Sequence, residues 1–206
     1  MKVVGITGGI ASGKSTVLAM LRELGAQVID TDPIVHQLMK SSSPLFKFIV
    51  NRFGKGILDG AGEIDRGRLG QIAFTDPSAL AYLEGVLHPS VYQEVKEWLA
   101  DTKARLGPSS RPRVYVVDGA KVHRDLLPRC DSLWVVYTPE HLQLERLTKD
   151  RGLTEDQARQ RIAAQVPWEE RLRQADVVID NSGTIEETRN QVEKEWERLL
   201  LSPCTD

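Results

Sequence analysis

Gly8-Gly9-Ile10-Ala11-Ser12-Gly13-Lys14-Ser15 gives this chain the spacing G-x-x-x-x-G-K-[ST] close to its start. Before it, Lys2–Thr7 is a short β-branched run that reads as a buried strand. After it, Lys14–Leu24 reads as a helix, with Val17, Leu18, Leu21 and Leu24 on one face and Gly25 closing it. Strand, glycine-rich bend and helix in that order point to the opening of a parallel sheet. Gly8, Gly9 and Gly13 have no Cβ, so the backbone there can curl around an anion with its N–H groups inward. The start of the following helix adds the positive end of a dipole. Lys14 is placed to reach the β- and γ-phosphates of a nucleotide, and the Ser15 hydroxyl is a candidate ligand for Mg²⁺. The alternative is a strand–helix turn with an incidental lysine, and the flanking strand and helix weigh against it.

Further along, Gln27–Asp30, Val114–Val117 (ending at Asp118), Leu133–Tyr137 and Val177–Ile179 read as four more short strands. Between the second and third, residues 33–106 are mostly helical, with Pro44, Pro77 and Pro89 each opening a helix. Val91, Val95, Trp98 and Leu99 share a face of the last of these. The stretch from Gly54 to Gly62 is rich in turn residues, and Gly107-Pro108-Ser109-Ser110-Arg111-Pro112 is a linker. Thr154-x-x-Gln157 and Thr184-x-x-Glu187 are capping boxes. In the final helix Ile185, Val192, Trp196 and Leu199 are expected to form one buried stripe. The expected fold is therefore α/β, a parallel sheet flanked by helices. Residues 1–32 and 113–206 form its core, 33–112 an inserted helical lobe, and about 139–174 a second helical excursion.

A chain of 206 residues suffices for one α/β core with such an insertion. Its formal charge of -2 argues against a nucleic-acid or membrane partner held by bulk electrostatics, so an anionic substrate has to meet local cations. Cys130 and Cys204 have no metal-like spacing and read as free thiols of a reducing compartment. No apolar stretch is long enough to span a bilayer, and the apolar run at the start is too short for a signal peptide. The expected location is the cytoplasm.

A phosphate loop does not say what the phosphate is used for. The chain has no N-K-x-D guanine reader, and Asp59-Gly60-Ala61-Gly62, which fits the loose D-x-x-G pattern, reads as a turn. Transfer to an alcohol needs a base near the acceptor. Asp30 and Asp32 close the second strand, on the edge of a parallel sheet that faces ligand, and Asp32 lies further past the strand end. Both also read as strand-end or helix-cap aspartates, since Pro33 starts a helix. From the residues alone the two readings stay open.

The segments Thr7-Gly8-Gly9-Ile10-Ala11-Ser12-Gly13-Lys14-Ser15-Thr16, Val28-Ile29-Asp30-Thr31-Asp32 and His36 resemble the start of the dephospho-CoA kinase family. Leu87-His88-Pro89 resembles that family's L-H-P signature and Gln143-Leu144-Glu145-Arg146-Leu147 its lid helix. Ala164-Gln165 and Ala175-Asp176-Val177-Val178-Ile179-Asp180-Asn181-Ser182-Gly183 resemble its closing segments. The resemblance implies ATP-dependent phosphorylation of the ribose 3′-hydroxyl of dephospho-CoA, the last step of coenzyme A biosynthesis, with ATP and Mg²⁺ as cofactors. It implies Asp32 as general base, and Lys14 with Arg146 as the cations on the transferring phosphoryl group. Residues 8–16 would hold the nucleotide phosphates and Asn181 would lie near the adenine. The helical lobe, including His88, would hold dephospho-CoA, and 139–174 would act as a lid. Asp118 would serve as a more distant partner of the Mg²⁺ held by Ser15.

The chain departs from the family after its third strand. Where the family usually has an apolar P-L-L-F/Y-E segment bordering the acceptor pocket, this chain has Ala120, Lys121, Val122, His123 and Arg124 after Gly119. Lys149-Asp150-Arg151-Gly152 also reverses the usual order of base and acid. Two other activities stay in view: a related kinase for another alcohol or nucleoside, and a nucleotide-binding protein without transfer activity.

Overall fold

The computed structural model describes residues 1–107, 113–119 and 130–202. In chain order the elements are β1 (Lys2–Gly8), α1 (Lys14–Glu23), β2 (Gln27–Asp30), α2 (Asp32–Leu38), α3 (Pro44–Phe53), a 3₁₀ turn (Lys55–Ile57), α4 (Arg66–Thr75) and α5 (Pro77–Leu106). There follow β3 (Val114–Asp118), β4 (Ser132–Tyr137), α6 (Glu140–Lys149), α7 (Glu155–Ala163), α8 (Trp168–Gln174), β5 (Val177–Asp180) and α9 (Ile185–Leu201). They fall into two units, Met1–Ile29 with Lys103–Asp206, and Asp30–Thr102.

The first unit is built on a parallel sheet in the order β2-β3-β1-β4-β5. β1 is central, pairing in parallel with β3 through Val4↔Val116 and with β4 through Ile6↔Trp134. Its residues show no alternation of apolar and polar types, because helices cover both faces of such a sheet. Val4 and Ile6 pack with Val17, Leu18 and Leu21 of α1 and with Val192 and Leu199 of α9. Strand order reverses at β1, and in open α/β sheets the ligand crevice lies at the carboxyl ends beside such a reversal. The glycine-rich bend leaves β1 at that end.

The second unit has its own core of Met39, Ile49, Ile57, Ile64, Leu69 and Leu87. Ser43 caps α3 by accepting from Leu45 N at 3.2 Å, and Asp65 caps α4 through Gly67 N and Arg68 N. The Asp59–Gly62 segment is a turn, as expected: the Asp59 carboxylate accepts from Ala61 N and Glu63 N at 2.9 and 3.0 Å.

Two sequence expectations change. Pro89 does not open a helix but lies inside α5, a single helix of 30 residues. Proline lacks the N–H that would bond the carbonyl four residues back, here Gly85, and its ring crowds that carbonyl. Burial of Leu87, Val95 and Leu99 on either side of Pro89 holds the helix continuous across the break. Pro89→Ala is therefore expected to stabilise the fold by about 2–2.5 kcal/mol, the helix-interior penalty of about 3 kcal/mol less the entropy proline removes from the unfolded chain. A urea melt checks this through a higher midpoint at unchanged slope. The second change is Ile185, which is 67% exposed rather than part of the buried stripe of α9. Thr188 takes the buried place in that first turn, above Val192 and Leu199. The start of α9 faces the polar side chain of Asn181 and not the apolar core.

Candidate active site

Between β1 and α1 the chain turns sharply, Ser12 N donating to Gly9 O at 3.1 Å. Two residues take left-handed backbone conformations, Gly13 at φ 81° and Ala11 at φ 55°. For alanine this costs about 1–2 kcal/mol, strain that nothing in the sequence signals. Gly13 is required twice over, by its φ and because a Cβ would collide with the Asn181 amide nitrogen. A Cβ on Gly8 would meet the Val136 carbonyl at 3.0 Å. Thr16 N donates to Gly13 O at 2.9 Å as α1 begins, and the Ser15 side chain is exposed. Lys14 Nζ pairs with the Asp118 carboxylate at the end of β3, the two side chains being 22% and 9% exposed.

Residues that end or follow the neighbouring strands hold this bend from behind. Thr138, next after β4, lies with its hydroxyl 2.9 Å from Ser12 O and 2.8 Å from Tyr137 O. Asn181, next after β5, donates from Nδ2 to Ser12 O at 2.8 Å. Arg146 of α6 donates to Ala11 O at 3.1 Å and to Asn181 O at 2.8 Å. It is not a solvated charge paired along its own helix, since Glu145 instead pairs with Lys149 at 2.7 Å. Gln143 is buried and donates to Thr138 O at 2.7 Å.

The stretch from Gln165 to Arg171 lies against the other side of the bend. Gln165 accepts from Ile10 N at 2.5 Å. Trp168 packs edge-on against Tyr137 with centroids 4.9 Å apart, and a Cβ on Gly9 would come within 3.0 Å of its ring. Arg171 donates to Thr7 Oγ1 at 3.2 Å and Gly8 O at 3.4 Å. Burial lowers the pKa of its guanidinium, with the Glu170 carboxylate acting in the opposite direction.

A model of the dephospho-CoA kinase family matches residues 2–187. The chain belongs to the dephospho-CoA kinase family. It is 44% identical to a dephospho-CoA kinase of Symbiobacterium thermophilum over 197 residues, 95% of this chain and 80% of that protein. Among solved structures, TT1252 from Thermus thermophilus matches with a TM-score of 0.73 at 28% identity, covering 98% of each chain. A dephospho-CoA kinase from Campylobacter jejuni matches with a TM-score of 0.55 at 26% identity, again over 98% of each.

Within this family member the first unit brings together residues 8–16, Asp118, Arg146 and Asn181. Asp32 and His88 belong to the second unit. Asp32 is the first residue of α2, exposed, and among the described residues its carboxylate carries no hydrogen bond or ion pair. It is not the cap: Asp30 performs the local turn, accepting from Asp32 N at 2.9 Å. His88 is half-buried on α5. His36 of α2 contacts Arg66. The unusual residues 120–124 lie outside the described residues. Among the described residues no group of three or more His, Cys, Asp or Glu is arranged to hold a metal. A Mg²⁺ that arrives with a nucleotide does not require one, because phosphate and water oxygens supply most of its ligands. The Ser15 hydroxyl and the Asp118 carboxylate are oxygen donors of the kind it takes.

Thr138, Trp168, Arg171 and Thr188 are absent from the sequence-derived site. Thr138 had a usable signal, since it follows a parallel strand directly, as Asn181 does. Trp168 and Arg171 lie on a short polar helix with no such marker.

Proposed function

We propose that this chain transfers the γ-phosphoryl group of ATP to the ribose 3′-hydroxyl of dephospho-CoA, giving CoA and ADP. The observation that carries this reading is the phosphate loop, bent at a Gly13 that leaves no room for a Cβ, in a chain that matches the family over residues 2–187. In no described residue does a helix have the length and apolarity to cross a membrane.

Backbone N–H groups at the start of α1 and the Lys14 ammonium hold the phosphates, which is the positioning and charge neutralisation that phosphoryl transfer requires. Asp32 removes the proton of the 3′-hydroxyl as that oxygen bonds to the γ-phosphorus and the bond to the ADP oxygen breaks. Its carboxylate, exposed and without a partner among the described residues, supports this role. Ser15, with Asp118 through water, would hold Mg²⁺, which neutralises charge on the phosphates when bound. Arg146 contributes positive charge beside the loop and Asn181 borders the nucleotide. The helical insertion, with His88, binds the acceptor. The 139–174 segment is a lid that excludes water from the transfer, a role supported by the contacts of Gln165, Trp168 and Arg171 on the loop.

The test is coupled ADP release across an acceptor panel: dephospho-CoA, adenosine, other small alcohols and no acceptor. ADP release that depends on dephospho-CoA is expected. Turnover of another alcohol with none of dephospho-CoA would assign a different acceptor to the segment around 119–124. ATP binding with no acceptor-dependent ADP would point to a nucleotide-binding protein without transfer.

A further inference from the structure

We infer that Thr188, on α9, is a positioning residue for nucleotide binding, acting through Asn181 on the phosphate loop. The inference rests on the kinase reading above and assigns the residues that preset its phosphate cradle.

A trans peptide unit directs its C=O and its N–H to opposite sides. The Ser12 carbonyl and the Gly13 N–H belong to one such unit. Asn181 Nδ2 donates to that carbonyl at 2.8 Å, and the Thr138 hydroxyl lies 2.9 Å from it. With its oxygen held from behind, the unit turns the Gly13 N–H to the opposite side. Among the described residues that N–H has no hydrogen-bond partner. It is a donor fixed in place before any phosphate arrives, which lowers the ordering cost of binding.

The Asn181 amide does this only in one orientation. Rotated by half a turn, it would set its own oxygen against the Ser12 oxygen. The group that selects the working orientation is the Thr188 hydroxyl, which donates to Asn181 Oδ1 at 2.9 Å, with the Thr184 carbonyl further off at 3.2 Å. Thr188 is fully buried and Asn181 is 7% exposed, so water does not substitute for the missing donor without entering the core. Asn181 N is itself held by Tyr137 O at 2.8 Å, so the backbone carrying the amide is fixed as well. This explains why a polar residue, and not Ile185, takes the buried place at the start of α9. It also gives Asn181 a function on the loop that is independent of any contact with adenine.

The experiment compares Thr188→Val, which keeps the shape and removes the hydroxyl, with Thr188→Ser, which keeps the hydroxyl. ATP affinity is read by titration calorimetry, and KM for ATP and for dephospho-CoA by steady-state kinetics. T188V is expected to weaken ATP binding about tenfold, the loss of one buried hydrogen bond, with KM for dephospho-CoA unchanged. T188S is expected to stay within about twofold of the parent, well inside the effect of one such bond. In a double-mutant cycle, T188V added to Asn181→Ala is expected to weaken ATP binding no further than Asn181→Ala alone. Parental ATP affinity in T188V, equal losses in T188V and T188S, or additive losses with Asn181→Ala would each overturn the inference. If T188V does not fold, T188S and the single N181A variant decide it: parental affinity in N181A overturns it, and loss in N181A with retention in T188S supports it. Because calorimetry needs no acceptor, failure of the dephospho-CoA assignment would leave this result readable on its own.

Discussion

Lys14→Ala is expected to lower turnover by about a thousandfold or more, the scale of losing a preorganised charge on developing phosphate negative charge. The reason lies in its position. Lys14 begins α1, so its ammonium extends from the same helix start whose N–H groups would face a bound phosphate. The substitution has a second consequence that must be separated from the first. Lys14 is paired with Asp118, which is 9% exposed, and removing one partner of a largely buried pair takes a compensating charge away from the other. A lower melting temperature is therefore expected in Lys14→Ala and is expected to be relieved in Lys14→Ala/Asp118→Asn, while turnover stays lost in both. Steady-state ADP release and thermal melts on the three proteins check this. Substantial turnover in Lys14→Ala would contradict the assignment of the phosphate loop.

The second large effect is Asp32→Asn, expected to cut kcat by about two to three orders of magnitude, the usual worth of a general base. Here the structure makes the experiment clean. The side chain is exposed and has no partner among the described residues. The change keeps its shape and forfeits only a first-turn charge on the α2 dipole, about 0.3–1 kcal/mol. ATP affinity by calorimetry is expected within about threefold of the parent, since binding energy and acid–base catalysis are separate contributions. Collapse of ATP binding would instead make Asp32 a metal ligand or a structural residue.

How far the sequence carried these assignments depended on the range of the interactions. The glycine-rich bend and the two capping boxes at Thr154 and Thr184 were legible because each rests on contacts a few residues apart, and the strands because each is a short run of apolar residues. Asp118 was legible as the residue that ends a parallel strand, and Asn181 only through the resemblance to the family. Their working partners were not. Nothing near Asp118 in the chain identifies Lys14 as its counter-ion, and nothing near Asn181 shows that its amide is spent on Ser12, 169 residues away. Pro89 misled because proline usually marks a helix start, a preference of about 3 kcal/mol that packing on both sides of it overrode. Ile185 misled because helical periodicity assigns a face to each residue without saying what that face meets.

By itself, then, the sequence determined the strand, the glycine-rich bend and the helix that follows it, since backbone sterics, glycine and helix caps act locally. Which carbonyl each polar side chain would hold, and which way the loop's amides would point, was decided only when sheet order brought β1, β4 and β5 side by side. Hydrogen bonds are directional and short, so their partners are set by the packed arrangement in space and not by separation along the chain.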